Sequence, residues 1–164
     1  MGVVMKTHWS KRLPRRACLE AKKWARTQPS AQVAWDTCER GDWMLWLLGW
    51  CAGAPGSAKR KALVLCACDC ASLVRRYTSG DSRRAFDRCQ RTARSWARGQ
   101  GATLNDVHDA SAAAYAAAAA YAAYAADAAL AAAAAAHYGG LCRCANIVRK
   151  HYPRAPRLAR KGGE

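Results

Sequence analysis

Apolar positions in this chain recur at the three- and four-residue spacings of helices, and no stretch shows the strict alternation of a half-buried strand. Ala17, Cys18, Ala21, Trp24 and Ala25 follow that spacing, with Arg15, Arg16, Lys22, Lys23 and Arg26 on other faces. Pro14 suits the first turn of a helix running to about Thr27, and Pro29 stops it. A second helix is expected over Ala31–Trp50, where Trp35, Cys38, Trp43, Trp46, Leu47 and Trp50 make a bulky face. Gly41 and Asp42 weaken its middle, enough to kink or split it. A Gly-Ala-Pro-Gly-Ser loop at 53–57 follows, and Ser57 caps a third helix in which Leu63, Cys66, Cys70, Leu73, Val74 and Tyr77 form one face. Ser79-Gly80 ends it. A fourth helix, capped by Asp81 or Ser82, turns Phe86, Cys89, Ala93 and Trp96 inward and surrounds them with arginines. Gly99 and Gly101 flank its end, where left-handed backbone is needed.

The fifth helix opens on Thr103-Leu104-Asn105-Asp106, a capping box with Asp in place of Glu. It then enters an extreme segment: of the 26 residues from Ser111 to Ala136, 20 are alanine. Alanine loses no side-chain entropy on helix formation, and it carries no donor, nucleophile or metal ligand. The segment therefore predicts a scaffold rather than an active site. It should run to about Tyr138, a length of about 54 Å. Gly139-Gly140 is expected to break or bend it, leaving Leu141–Tyr152 as a short last helix stopped by Pro153. The fold expected is all-α: an antiparallel helical bundle of five to six helices built around a long alanine-rich helix. Residues 1–30 form a basic N-terminal extension with one short helix, 31–153 the helical domain, and 154–164 a basic disordered tail.

The net charge of +16 changes the picture, because it sits mainly at the ends. Residues 1–30 hold eight Lys/Arg against Glu20, and residues 143–164 hold seven against Glu164. The long middle holds 12 against nine acids. Such ends favour an acidic protein partner or nucleic acid. No membrane span is expected, since the alanine stretch is only weakly apolar and holds Asp127 and three tyrosines. With no secretion signal in view and an odd number of cysteines, nine, the expectation is a reduced, cytoplasmic protein.

The candidate chemistry is thin. Cys66-Cys68-Cys70 and Cys142-Cys144, with His137, invite a metal site. On a helix, however, Cys66 and Cys70 share a face and Cys68 leaves it, so core thiols are the expectation. His108-Asp109 lacks the further ligands that phosphohydrolase chemistry needs. Glu39, Asp42 and Asp69 are expected as caps or arginine partners rather than as a carboxylate pair. No Gly-rich phosphate loop or Ser/His/Asp arrangement is present. The expectation is therefore no enzyme, no metal and no cofactor.

The blocks Trp35–Leu48 (WDTCERGDWMLWLL), Ala93–Gly99 (ARSWARG) and Ile147–Pro153 (IVRKHYP) resemble those of small alanine-rich phage-encoded proteins of uncharacterised function. The order and spacing of the arginine-rich helix, the alanine/tyrosine helix and the Ile147–Pro153 ending are also similar to the predicted all-α immunity-protein family of bacterial polymorphic toxin systems. The resemblance covers about residues 31–153 and brings no catalytic residues with it. It implies a small intracellular protein that binds and neutralises another protein, a toxin or a host factor, or a phage accessory factor acting on host machinery. Nucleic-acid binding through the basic termini and the Arg-rich helix is the alternative. The polar residues within the two most distinctive blocks, Arg40, Asp42, Arg149, Lys150 and His151, are the candidate binding residues. Charge reversal at Arg149 and Lys150 is expected to weaken partner binding without lowering stability.

Overall fold

The computed structural model describes residues 7–73, 75–122 and 129–158, with side chains outside 114–138 and Tyr77. Its order is a 3-10 turn at Trp9–Arg12, then α1 (Leu19–Arg26), α2 (Ala31–Thr37), α3 (Gly41–Cys51), α4 (Ala58–Ser72), a second 3-10 turn (Arg75–Tyr77), α5 (Gly80–Arg98), α6 (Leu104–Ala122) and α7 (Ala129–His151). The fold is all-α, with no strand among the described residues. α7 packs on α3 and α4, α4 on α5, and α5 on α6. The main core lies where α2, α3, α4 and α7 meet, with Trp35, Met44, Leu48, Leu63, Cys66 and Val148 buried together.

Local chemistry accounts for most boundaries. The Ser57 hydroxyl accepts from Arg60 N at 3.2 Å to start α4, and donates to Ala52 O at 2.7 Å to close the preceding loop. Gly99 ends α5 at φ 71°, the left-handed cap the sequence called for. At the start of α6 the box closes in both directions. Thr103 N donates to Asp106 Oδ2 at 2.7 Å, and Asp106 N donates to Thr103 Oγ1 at 3.2 Å.

Three boundaries differ from expectation, and a fourth takes one of the two forms expected. α1 starts at Leu19, five residues beyond Pro14, because Pro14–Ala17 closes as a separate turn (Ala17 N to Pro14 O, 3.0 Å) and extended Cys18 restarts the chain. The Ala31–Trp50 run is split, one of the two forms expected, with extended Cys38 between α2 and α3 just ahead of Gly41. α4 stops at Ser72, and a 3-10 turn takes Arg75–Tyr77 in place of the expected continuation; Val74 lies outside the described residues. Gly139-Gly140 does not break the chain: α7 runs through it to His151. Glycine costs roughly 0.5–1 kcal/mol in a helix relative to alanine. The packing of fully buried Ala145 and Val148 just beyond it outweighs that cost. The expected continuous helix from Thr103 to Tyr138 crosses 123–128, which lie outside the described residues.

Gly41 is required by close approach. A Cβ there would sit 2.6 Å from both Ala145 N and Cys144 Cβ. Thus α3 begins where α7 presses against it, and only glycine fits the crossing.

Candidate interaction surface

The five polar residues singled out by the sequence occupy three places. Arg40 and Asp42 pair across the start of α3, Nε to Oδ1 at 2.9 Å and Nη2 to Oδ2 at 2.7 Å. Arg40 also lies over the Trp43 ring, 4.4 Å from its centroid. The hydrogen bond from Arg40 holds the Asp42 carboxyl below its ordinary 3.8, against the opposing effect of burial.

Arg149 reaches from α7 into the break between α2 and α3. Its Nη1 donates to Trp35 O at 3.1 Å and Cys38 O at 2.8 Å, and its Nη2 to Asn146 Oδ1 at 2.7 Å. The guanidinium replaces the helical bonds that the break denies those carbonyls. Arg40, Asp42 and Arg149 therefore flank one junction, around the buried Cys38, whose thiol is pushed up by burial. The geometry gives Arg149 an internal role, so charge reversal there also strikes the fold.

Lys150 is exposed. His151 lies elsewhere again: its Nε2 is 2.8 Å from Asp69 Oδ2 on α4. Arg94 Nη2 of α5 donates to Asp69 Oδ1 at 2.7 Å. Burial raises the Asp69 carboxyl, but the hydrogen bonds from Arg94 and His151 outweigh it and hold it below 3.8. One carboxylate thus ties three helices together. Asp42 and Asp69 each serve basic partners, as expected, rather than each other.

The thiols divide by face. Cys66 and Cys70 meet Cys144 where α4 packs on α7, and Cys70 Sγ donates to Cys144 O at 3.7 Å. Cys68 is buried outside that cluster, and burial pushes its thiol up. Among the described residues no three His, Cys, Asp or Glu side chains converge with metal-holding geometry. No helix among them is long and apolar enough to cross a membrane.

A further feature escaped the sequence reading. An open, largely apolar groove of about 560 Å³ lies between the N-terminal segment, α2, α3 and the chain beyond α7. Ala34 and Trp35 of α2, Trp43 and Leu47 of α3, and Leu13, Ala21 and Trp24 of the N-terminal segment line it. Ala155, Pro156 and Leu158 close one end, where Arg12 and Arg157 flank an adjoining pocket. The C-terminal arm is fixed there: Trp35 Nε1 donates to Tyr152 O at 2.7 Å, and Ala155 N to Gln32 Oε1 at 3.0 Å. The arm is described as far as Leu158; the remainder of the expected tail, 159–164, lies outside the described residues. The available signal was Trp9 and Trp24, two large aromatics inside a strongly basic segment. Trp24 packs on Trp43 with ring centroids 6.0 Å apart.

Comparisons with protein-family models, with curated proteins and with solved structures returned no match for this chain.

Proposed function

We propose that the protein is a non-enzymatic interaction protein, an immunity-like or phage accessory factor that binds and neutralises another protein presenting an acidic surface. One observation carries this reading: the two basic ends of the chain meet at one apolar, tryptophan-lined groove. Arg12 and Arg16 of the N-terminal segment and Arg157 of the chain beyond α7 line it or the pocket adjoining it. Convergent cations around apolar surface suit recognition of an acidic protein. On this reading the helices form an antiparallel bundle with the alanine-rich segment at its middle, and the protein acts in the cytoplasm of a bacterial or phage-infected cell.

A second reading, nucleic-acid binding, is favoured by a different feature. Arg84, Arg88, Arg91 and Arg98 are exposed along one stripe of α5. Such a row matches a phosphate backbone, with affinity that falls steeply with salt.

The test is a pull-down from host lysate, split into nuclease-treated and untreated halves and read by mass spectrometry. A discrete acidic protein recovered equally from both halves supports the first reading. Proteins lost with nuclease, with nucleic acid recovered from the untreated half, support the second.

A further inference from the structure

We propose that the groove is a docking site for an acidic amphipathic helix of the partner, whose apolar side chains enter between α1 and α3 while its carboxylates meet the arginine rim. The proposal rests on the reading that the protein binds an acidic protein, and it adds where and by what chemistry.

The interior selects for apolar groups. Its volume of about 560 Å³ falls within the range of about 300–1,000 Å³ typical of binding pockets. Two indole donors at its edges are already committed, Trp9 Nε1 to Gln28 O at 2.9 Å and Trp35 Nε1 to Tyr152 O at 2.7 Å. Arg40 and Asp42 are committed to each other. A nucleobase placed inside would bury hydrogen-bonding edges without partners, which is unfavourable, whereas leucine or phenylalanine side chains carry no hydrogen-bonding group into it. Trp46 lines the groove yet stays 42% exposed, in contact with Trp50, itself 52% exposed. Half-exposed tryptophan is the residue most enriched in binding hot spots.

The rim selects for anions. Arg12, Arg16 and Arg157 stand at the groove and its adjoining pocket, with Glu20 the one carboxylate there besides the paired Asp42. A second copy of this chain would bring the same cations against these, and like charges facing each other disfavour that pairing. A helix with an apolar stripe set among carboxylates satisfies both interior and rim.

The experiment uses the full-length protein and a fluorescein-labelled synthetic helix with Leu and Phe at i, i+3, i+4 and i+7 and Glu elsewhere. A scrambled peptide of the same composition, lacking the stripe, is the control. Expected are tighter binding of the striped peptide by roughly tenfold and a blue shift of protein tryptophan emission. Ala21→Trp, which fills the groove, should weaken binding by roughly tenfold with an unchanged melting temperature. Leu158→Asp, beyond the last helix, gives the same readout if Ala21→Trp fails to fold. Equal affinity for the two peptides, or no effect of either variant, overturns the proposal while leaving an acidic partner in place. Binding of neither peptide, together with binding of a single-stranded oligonucleotide that Arg88→Glu/Arg91→Glu abolishes, removes both the proposal and the reading beneath it. Tighter peptide binding by Val3→Ser/Val4→Ser would give the groove to the chain's own first residues. A dimer in sedimentation that Ala21→Trp disrupts would give it to a second copy. Either result overturns the proposal.

Discussion

Arg149 and Lys150 are neighbours in sequence with the same charge, and the structure sends them to opposite duties. Arg149 supplies two hydrogen bonds to carbonyls that have no helical partner. Removing it by Arg149→Ala leaves Trp35 O and Cys38 O bare at a crowded junction, a loss of about 1.5–3 kcal/mol. Lys150→Glu on the exposed side should change stability by less than about 0.5 kcal/mol. Urea denaturation of the two variants separates them, and equal midpoints would contradict the assignment. Gly41 makes the second residue-scale claim. Gly41→Ala drives a methyl into the backbone of α7 at Ala145, where nothing can swing aside. Overpacking of that kind costs about 1–3 kcal/mol, read as a lower urea midpoint with native-like circular dichroism. A variant as stable as the parent would show that α3 and α7 are not in this contact.

At the scale of elements, legibility followed how local the deciding interaction is. The caps at Ser57, Gly99 and Thr103 were legible because each uses residues within one turn of the helix end. The Thr103–Asp106 box predicts that Thr103→Ala lowers stability by about 1 kcal/mol, and Asp106→Asn by less, since the amide still accepts. Thermal melts of both check the order. The break between α2 and α3 was legible only as a weakness at Gly41 and Asp42. Its position at Cys38 depends on Arg149, more than a hundred residues away, and no local pattern carries that. The run of α7 through Gly139-Gly140 was misread for the same reason: the two glycines oppose a helix, while the buried Ala145 and Val148 that hold it belong to a tertiary contact. The groove was illegible because its sides come from three separate parts of the chain. The candidate residues fared unevenly. The sequence located Arg40, Asp42 and Arg149 in distinctive blocks without revealing that they meet at one junction, or that His151 leaves them for Asp69.

For the whole molecule, carboxylates set the response to acid. Asp42 and Asp69 sit below their ordinary 3.8, each held by basic partners, and Asp106 does so through the backbone N–H of Thr103. A lowered carboxyl contributes stability that is complete above its unfolded value and disappears as pH falls through its folded one. The urea midpoint should therefore hold steady from neutrality to about pH 5 and fall steeply below 3.8. The Asp69→Asn variant should show a shallower fall. A high net positive charge adds self-repulsion as the remaining acids are neutralised, steepening the same limb.

The reach of Arg149, with the bonds of Tyr152 and Ala155 to α2, also fixes an order of events during synthesis. The first helices emerge from the ribosome long before the residues that seal them. Until the chain beyond Ala145 has been made, the α2–α3 junction has bare carbonyls, an open Gly41 and a half-built core. A nascent chain stalled before that point should be readily cleaved by protease around residues 38–41, and emergence of residues 145–155 should close the site in a single step.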